Sequence, residues 1–283
     1  MKLSIIIVHY NVERLLRNCL RSLEKFLQNI TYETIVIDND SPDASWKKLI
    51  SEFPDVKFII SETNGGFAKA NNTAIKSAEG EFLLLLNPDT EFEGYYINEL
   101  LDFADSVEKF GCLGVRMHDK DGVFLPESKR TVPNMINSFE KLLWNFKSNN
   151  RKSYYRNDIS EEEIAETEVI TGAFFLIKKE VYLKVGGLDE SYFMYGEDID
   201  LCYTLLQNSY KNYYYGKYAI LHYKGESTSK DEIYLKRFYN AMHIFLNKYY
   251  LKQNPIKYKV LSWGLQLKYN LEKYKLKQKR DSH

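Results

Sequence analysis

Leu3-Ser4-Ile5-Ile6-Ile7-Val8-His9-Tyr10-Asn11-Val12-Glu13 opens with a nearly continuous apolar run and ends on polar residues. A run without polar alternation predicts a parallel strand covered on both faces. The residues that follow it narrow the fold further. A dinucleotide-binding dehydrogenase needs a G-x-G-x-x-G turn directly after its first strand, so that backbone can approach pyrophosphate. His9 to Glu13 contain no glycine, and no Gly-rich loop ends in Gly-Lys-Ser or Gly-Lys-Thr, so a P-loop nucleotide hydrolase is excluded too.

Working outward, Val12 to Phe26 places Leu15, Leu16, Cys19, Leu20 and Leu23 on one helical stripe. Tyr32 to Ile37 reads as a second strand ending at Asp38-Asn39-Asp40-Ser41-Pro42, after which Asp43 or Ser45 can cap a helix through Phe53. Val56 to Ile60 makes a third strand, the Asn64-Gly65-Gly66 turn leads into a helix from Phe67 to Ser77, and Phe82 to Leu86 makes a fourth strand. Strands alternating with helices predict a parallel sheet whose functional loops converge at the strands' carboxyl ends. Each polar signal falls there: His9-Tyr10-Asn11, Asp38 to Asp43, Glu62 to Gly66, and Asn87-Pro88-Asp89.

A second acidic cluster, Glu197-Asp198-Ile199-Asp200, precedes a helix containing Leu201, Leu205 and Leu206. Asp198 is expected in its first turn, where backbone N–H groups stabilise a carboxylate, with Asp200 helping to cap it. If the fold joins both clusters, one carboxylate can hold a metal while another takes a proton. Hydrolytic glycosidases also pair two carboxylates, but the loops at the first three strand ends would then have no purpose.

At 283 residues the chain can bury a full core without disulfides. Cys19, Cys112 and Cys202 lack metal or redox spacing and are expected to be reduced core residues of a cytosolic protein. The start is too short for a signal peptide, and no run reaches membrane-spanning length. The net charge of zero hides a division, because 12 of 39 basic but only 2 of 39 acidic residues lie from Lys236 onward. There Ile256, Val260, Trp263, Leu267, Leu271 and Tyr274 recur at three- and four-residue intervals among lysines. Such a basic amphipathic helix can rest on an anionic membrane, pack on the body or form a dimer. No nucleic-acid recognition element accompanies the charge.

The ordered set of segments resembles the inverting family 2 glycosyltransferases with the GT-A fold, in particular their rhamnosyltransferase-like branch. It comprises Ile5 to Asn11, Val36 to Asp43, Asn64-Gly65-Gly66-Phe67-Ala68 through Asn72, Leu85 to Asp89, Thr171-Gly172-Ala173-Phe174, and Gly186 to Glu190 through Glu197 to Leu201. The match runs over roughly residues 3 to 229. The resemblance implies an α/β fold: one Rossmann-like nucleotide-sugar-binding domain with a mixed central sheet and a C-terminal helical extension. Residues 1–90 would form the nucleotide-binding half and 91–235 the acceptor-binding half, with an irregular excursion at 129–168 and a tail at 236–283.

It also implies roles. His9, Tyr10, Asn11 and Glu13 would border the nucleotide base, Tyr10 by stacking, while Asp38 would accept its imide N–H beside Asp40. Gly66 would close over the nucleotide, Lys69 is either a phosphate contact or a solvated lysine, and Asn72 would face the ribose or sugar. The usual Asp-x-Asp metal motif stands here as Asn87-Pro88-Asp89, leaving Asp89 as its one ionised ligand and Asn87 for ribose or a metal-bound water. His222 would meet the metal, Mg²⁺ or Mn²⁺, or else sit buried behind Tyr213 to Tyr218. Lys224 and Ser227 could add phosphate donors. Thr171, Gly172, Ala173 and Tyr195 would line the donor-sugar and acceptor pocket, Asp198 would deprotonate the acceptor, and Glu197 would orient it.

The implied activity is metal-dependent transfer of a sugar, rhamnose for preference, from a dTDP- or UDP-linked donor to a saccharide or lipid-linked saccharide in surface polysaccharide synthesis. The enzyme would be cytoplasmic or peripheral at the membrane's inner face. A noncatalytic nucleotide-sugar or polysaccharide-binding protein that has kept the fold is the alternative.

Overall fold

The computed structural model describes residues 1–133, 154–225 and 231–281. The opening run forms β1 (Leu3–His9), followed by α1 (Glu13–Phe26), β2 (Tyr32–Asp38), α2 (Lys48–Glu52), β3 (Val56–Ile60), α3 (Phe67–Ile75) and β4 (Phe82–Leu86). The expected helix through Phe53 is shorter. Asp43 Oδ1 accepts the Ser45 N–H at 2.9 Å, and a 3₁₀ turn at Ser45–Lys47 precedes α2. Then come β5 (Thr90–Phe92), α4 (Ile97–Ser106), β6 (Phe110–His118), β7 (Ile164–Thr167), β8 (Phe174–Lys178), α5 (Lys179–Lys184), α6 (Glu197–Gln207) and β9 (Lys211–His222). Two long helices end the chain, α7 (Glu232–Tyr249) and α8 (Pro255–Asp281).

The sheet runs β3-β2-β1-β4-β8-β6-β9-β5, with β7 paired to β9. The first four strands are mutually parallel, whereas β8 is antiparallel to both β4 and β6. Because β1 sends its next strand to one side and β4 lies on the other, their carboxyl ends form a switch point where ligands bind. Strand alternation splits the core into two layers. Ile5, Ile7, Leu84 and Leu86 pack toward α1 and α4, and Ile6, Val8, Leu83 and Leu85 toward α3, α5 and α6. All three cysteines are buried and unbridged.

Two expectations need correction. The strand expected at Ala219 to Leu221 is the end of a twelve-residue β9 that includes the tyrosine run, whose rings stack on Tyr96 and Phe110 and meet Phe103 edge-on. The excursion from 129 to 168 is not irregular at its ends. Arg130 and Val169 exchange backbone hydrogen bonds, buried Lys129 donates to the Arg156 carbonyl at 2.9 Å, and residues 164–167 add β7 to the sheet. The amphipathic stretch Ile136 to Phe146 lies outside the described residues. Residue 236, the expected start of the tail, falls inside α7.

Candidate active site

At the ends of β1 and β2, strand register sets His9 opposite Asp38. Tyr10 is 48% exposed, and Asn11 takes a left-handed turn (φ 54°) while its N–H donates to Ser41 Oγ at 2.9 Å. Asp40 is exposed and also left-handed (φ 64°). Asp38 is buried, and its Oδ2 accepts the Ser41 N–H at 3.2 Å. His9 was expected to border the nucleotide base. Its ring is wholly buried, 5.9 Å from Trp46 and 3.8 Å from Asp38 Oδ1. Burial pushes its pKa down to about 4 in spite of the Asp38 carboxylate, so the ring is neutral at physiological pH. Glu13 turns to an ion pair with Arg17 in the first turn of α1.

The loop after β3 is stitched to this edge by two asparagines. Asn39 Nδ2 donates to Asn64 Oδ1 (3.0 Å), the Gly65 N–H donates to Asn39 Oδ1 (3.1 Å), and the Gly66 N–H donates to Asn64 Oδ1 (3.2 Å). Gly66 sits at φ 87°, ψ 172°, and a Cβ there would lie 2.3 Å from the Phe193 carbonyl oxygen. Only glycine permits that approach, which lets the Phe67 N–H donate to the same oxygen at 2.7 Å. The loop after β3 is thereby fixed against the segment that leads into α6. Lys69 is exposed beside Gly65. Asn72 was expected to face the ribose or sugar side. Its amide donates to the Leu188 carbonyl and Glu190 Oε1 and accepts from Tyr182, which makes it a strut between α3 and the Gly186–Glu190 turn, beside a separate hollow.

The two acidic clusters meet on one short segment. The Asn87 N–H donates to the Ala173 carbonyl at 3.0 Å, and the Gly172 N–H donates to Asp198 Oδ2 at 3.2 Å. Asn87, Thr171, Gly172, Ala173, Tyr195, Glu197, Asp198 and Lys224 all border one cavity of about 460 Å³. Consecutive left-handed residues, Tyr195 (φ 72°) and Gly196 (φ 85°), turn the chain sharply into α6. Asp198 Oδ1 then accepts the Ile199 N–H at 2.8 Å, and Oδ2 accepts from Arg130 Nη2 at 2.6 Å. Burial disfavours the Arg130 charge, but the Asp198 carboxylate and Tyr154 together more than offset this and raise its pKa. Beside them Glu197 is buried, and desolvation together with the Asp198 charge pushes its pKa up to about 8, against a smaller opposing pull from Arg130. A carboxyl that keeps its proton at neutral pH can donate a hydrogen bond to a substrate oxygen. Asp200 does not cap the helix. Buried, it accepts from Tyr192 (3.2 Å), Tyr249 (2.8 Å) and Lys248 (2.8 Å), and so anchors α7 to α6.

Asp89 is not among the residues that line this cavity; it is buried in the turn between β4 and β5. The pairing of β5 with β9 sets Thr90 opposite His222, so His222 Nε2 comes within 3.4 Å of Asp89 Oδ1. Among the described residues no group of three or more His, Cys, Asp or Glu could hold a metal ion. A carboxylate beside an imidazole is a two-donor set. It fits Mg²⁺ or Mn²⁺ only where phosphate oxygens and water complete the coordination. Lys224 pairs with Glu127 at 2.5 Å on the cavity wall, and Ser227 lies outside the described residues.

Arg130, which lines the cavity and pairs with Asp198, is a site side chain that sequence reasoning missed. Its only signal was the Lys129-Arg130 pair at the start of the irregular excursion, and such pairs are ordinarily solvated. Asn39 and Asn64 were visible in the motifs, but their role in joining loops depends on partners 25 residues apart.

A mixed sheet carrying polar loops at a switch point, faced by an acidic helix start, defines the GT-A fold class. Solved structures share it. GalNAc-T7, crystallised with UDP, GalNAc and Mn²⁺, superposes with a TM-score of 0.59 at 17% identity over 86% of this chain and 47% of its own. Staphylococcus aureus TarS 1-349 gives 0.57 at 22% identity over 87% of this chain and 64% of its own. The chain thus spans about half and about two-thirds of those molecules.

The family model described as glycosyl transferase family 2 matches residues 4–186, and the chain belongs to that family. It is 29% identical over 244 residues to an N-acetylglucosaminyl-diphospho-decaprenol L-rhamnosyltransferase of Mycobacterium tuberculosis, covering 79% of each chain. It is 26% identical to the rhamnosyltransferase WbbL of Escherichia coli K12 over 220 residues, 71% of this chain and 78% of the relative.

Proposed function

We propose that this chain is an inverting, metal-dependent glycosyltransferase. It would move a sugar, rhamnose for preference, from a dTDP- or UDP-linked donor to a hydroxyl of a saccharide or lipid-linked saccharide in surface polysaccharide synthesis. The observation that carries this reading is the convergence of Asn87 and Asp198 on Gly172-Ala173, at the wall of one cavity. The names of the mycobacterial and E. coli relatives support the sugar and the class of acceptor.

In this reading Tyr10 stacks on the base and Asp38 accepts its imide N–H, with Asp40 and Asn11 shaping the rim. Asp89 and His222 would hold Mg²⁺ or Mn²⁺, which supplies positive charge to the departing diphosphate. Asn87 faces the ribose, and Lys224 the phosphates. Asp198, held by Arg130 and the Gly172 N–H, takes the acceptor's hydroxyl proton as that oxygen bonds to the anomeric carbon. The anomeric carbon–oxygen bond breaks on the opposite face, and its electron pair leaves with the nucleotide diphosphate. Protonated Glu197 orients the acceptor by donating a hydrogen bond. A single displacement of this kind inverts the anomeric configuration without a covalent enzyme intermediate.

The tail supports work at a membrane surface. Ile256, Trp263, Leu271 and Tyr274 on α8 are 60–78% exposed, with lysines alongside. Among the described residues no helix is long and apolar enough to cross a membrane. The test is incubation with Mg²⁺ or Mn²⁺ and a panel of dTDP- and UDP-sugars plus saccharide and lipid-linked acceptors, with product mapping. Nucleotide diphosphate release with an inverted linkage is expected. A retained configuration, or no release across the panel, overturns the proposal.

A further inference from the structure

The crevice that holds Asp198 has two unlike walls. The sheet and α6 supply its polar groups, whereas α7 and α8 supply Phe238, Met242, Phe245, Leu246, Leu261 and Leu265. A transferase handling only nucleotide sugar and free saccharide has no use for a hydrocarbon wall beside its base, because sugar hydroxyls would lose water there without partners. Its volume of about 460 Å³ is that of a small-molecule site, and such sites are mostly apolar with a few placed polar groups.

The charge on the same cavity is specific in place. Lys268 borders it along with the apolar residues, as does Lys224, which is ion-paired with Glu127. Lys268 comes from α8, the helix whose other face exposes Trp263, Leu267 and Leu271. Burial of Leu261 and Leu265 against Leu235, Tyr239 and Leu246 holds α8 on α7, so the apolar wall is built into the fold. The cavity therefore joins, in one space, a proton acceptor, cationic side chains and a hydrocarbon lining.

We infer that the α7–α8 wall is a subsite for the hydrocarbon chain of a lipid-linked saccharide phosphate acceptor, with Lys268 meeting its phosphate and Asp198 its sugar hydroxyl. This rests on the transferase reading above and assigns the lipid a place in it. The chain's first carbons lie between α7 and α8, and the remainder passes to the membrane that the exposed stripe of α8 contacts. Each buried methylene should tighten binding roughly fourfold, so affinity depends steeply on chain length.

The test uses the full chain saturated with Mg²⁺ and dTDP or UDP, titrated by calorimetry with inorganic phosphate, geranyl phosphate and farnesyl phosphate below their micelle concentrations. Farnesyl phosphate is expected to bind at least tenfold more tightly than geranyl phosphate, and inorganic phosphate not measurably. Met242→Trp, which fills the cavity, should weaken farnesyl phosphate at least tenfold, whereas Leu267→Ala on the exposed face of α8 should leave it unchanged. Equal affinity for both chain lengths overturns the inference without recourse to any variant. So does a Leu267→Ala loss as large as that of Met242→Trp, which would place the chain on the outer face. Chain-length dependence without nucleotide release from any donor would sink the transferase reading and leave the subsite standing. Transfer to lipid acceptors that is indifferent to chain length would do the reverse.

Discussion

Replacing Arg130 by Met removes the guanidinium that holds Asp198 while keeping much of the apolar stem. The pair is close, at 2.6 Å, and its side chains are only 11% and 14% exposed, so solvent screens it little. Breaking a buried pair by removing one partner costs about 3–5 kcal/mol, chiefly because the other charge is left without compensation. Asp198 keeps the Gly172 and Ile199 N–H donors, which places the expected cost near the lower end, about 3 kcal/mol. If the cost arises from the stranded carboxylate, it must shrink once that carboxylate is neutral. Arg130→Met in an Asp198→Asn background should therefore cost about 1–2 kcal/mol less than in the native chain. Equilibrium urea denaturation of the four proteins, with slopes compared to exclude a changed denatured state, measures this coupling. A cost equal in both backgrounds within about 0.5 kcal/mol would mean that the two side chains act independently, and the reasoning would fail.

Gly66→Ala should destabilise the chain by about 3 kcal/mol or more, since its backbone region is essentially restricted to glycine and a Cβ would meet the Phe193 carbonyl at 2.3 Å. A loss below about 1 kcal/mol in the same denaturation assay would show that this contact does not fix the loop. His9 predicts a pH effect of known sign. Its folded pKa of about 4 lies below the ordinary 6.5, so the unfolded chain binds more protons between those values, and stability present above pH 6.5 is lost as pH falls toward 4. His9→Gln should flatten that part of the urea-midpoint profile, and an unchanged slope would show that the ring is not buried in its neutral form.

Of the first four strands, β1 and β4 were legible because fully buried parallel strands carry unbroken apolar runs, and β3, a half-exposed edge strand, and β4 have the predicted bounds. The tyrosine-rich β9 was read only at its end, since its rings are held by ring packing and by Glu99 rather than by an apolar alternation. Acidic residues at the start of α6 were legible from position alone, but Arg130, 68 residues earlier, carries no local sign that it will meet Asp198. The burial of His9 and the bonds that hold Asn72 to Tyr182 and the Leu188 carbonyl depend on distant partners that their motifs do not signal. Periodicity found an apolar stripe on α8 but not which face is covered. Ile256, Val260, Trp263, Leu267, Leu271 and Tyr274 remain exposed, whereas Leu261 and Leu265 are buried.

The most direct test of the proposed division between a leaving-group side at Asp89 and a proton-accepting side at Asp198 is single-turnover transfer beside donor affinity, measured on Asp198→Asn and Asp89→Ala. Asp198→Asn is expected to leave nucleotide-sugar affinity within about twofold while slowing transfer by roughly 10²–10⁴, and Asp89→Ala to weaken metal-dependent donor binding. Near-native transfer by Asp198→Asn, or lost donor affinity in Asp198→Asn with none lost in Asp89→Ala, would contradict the account.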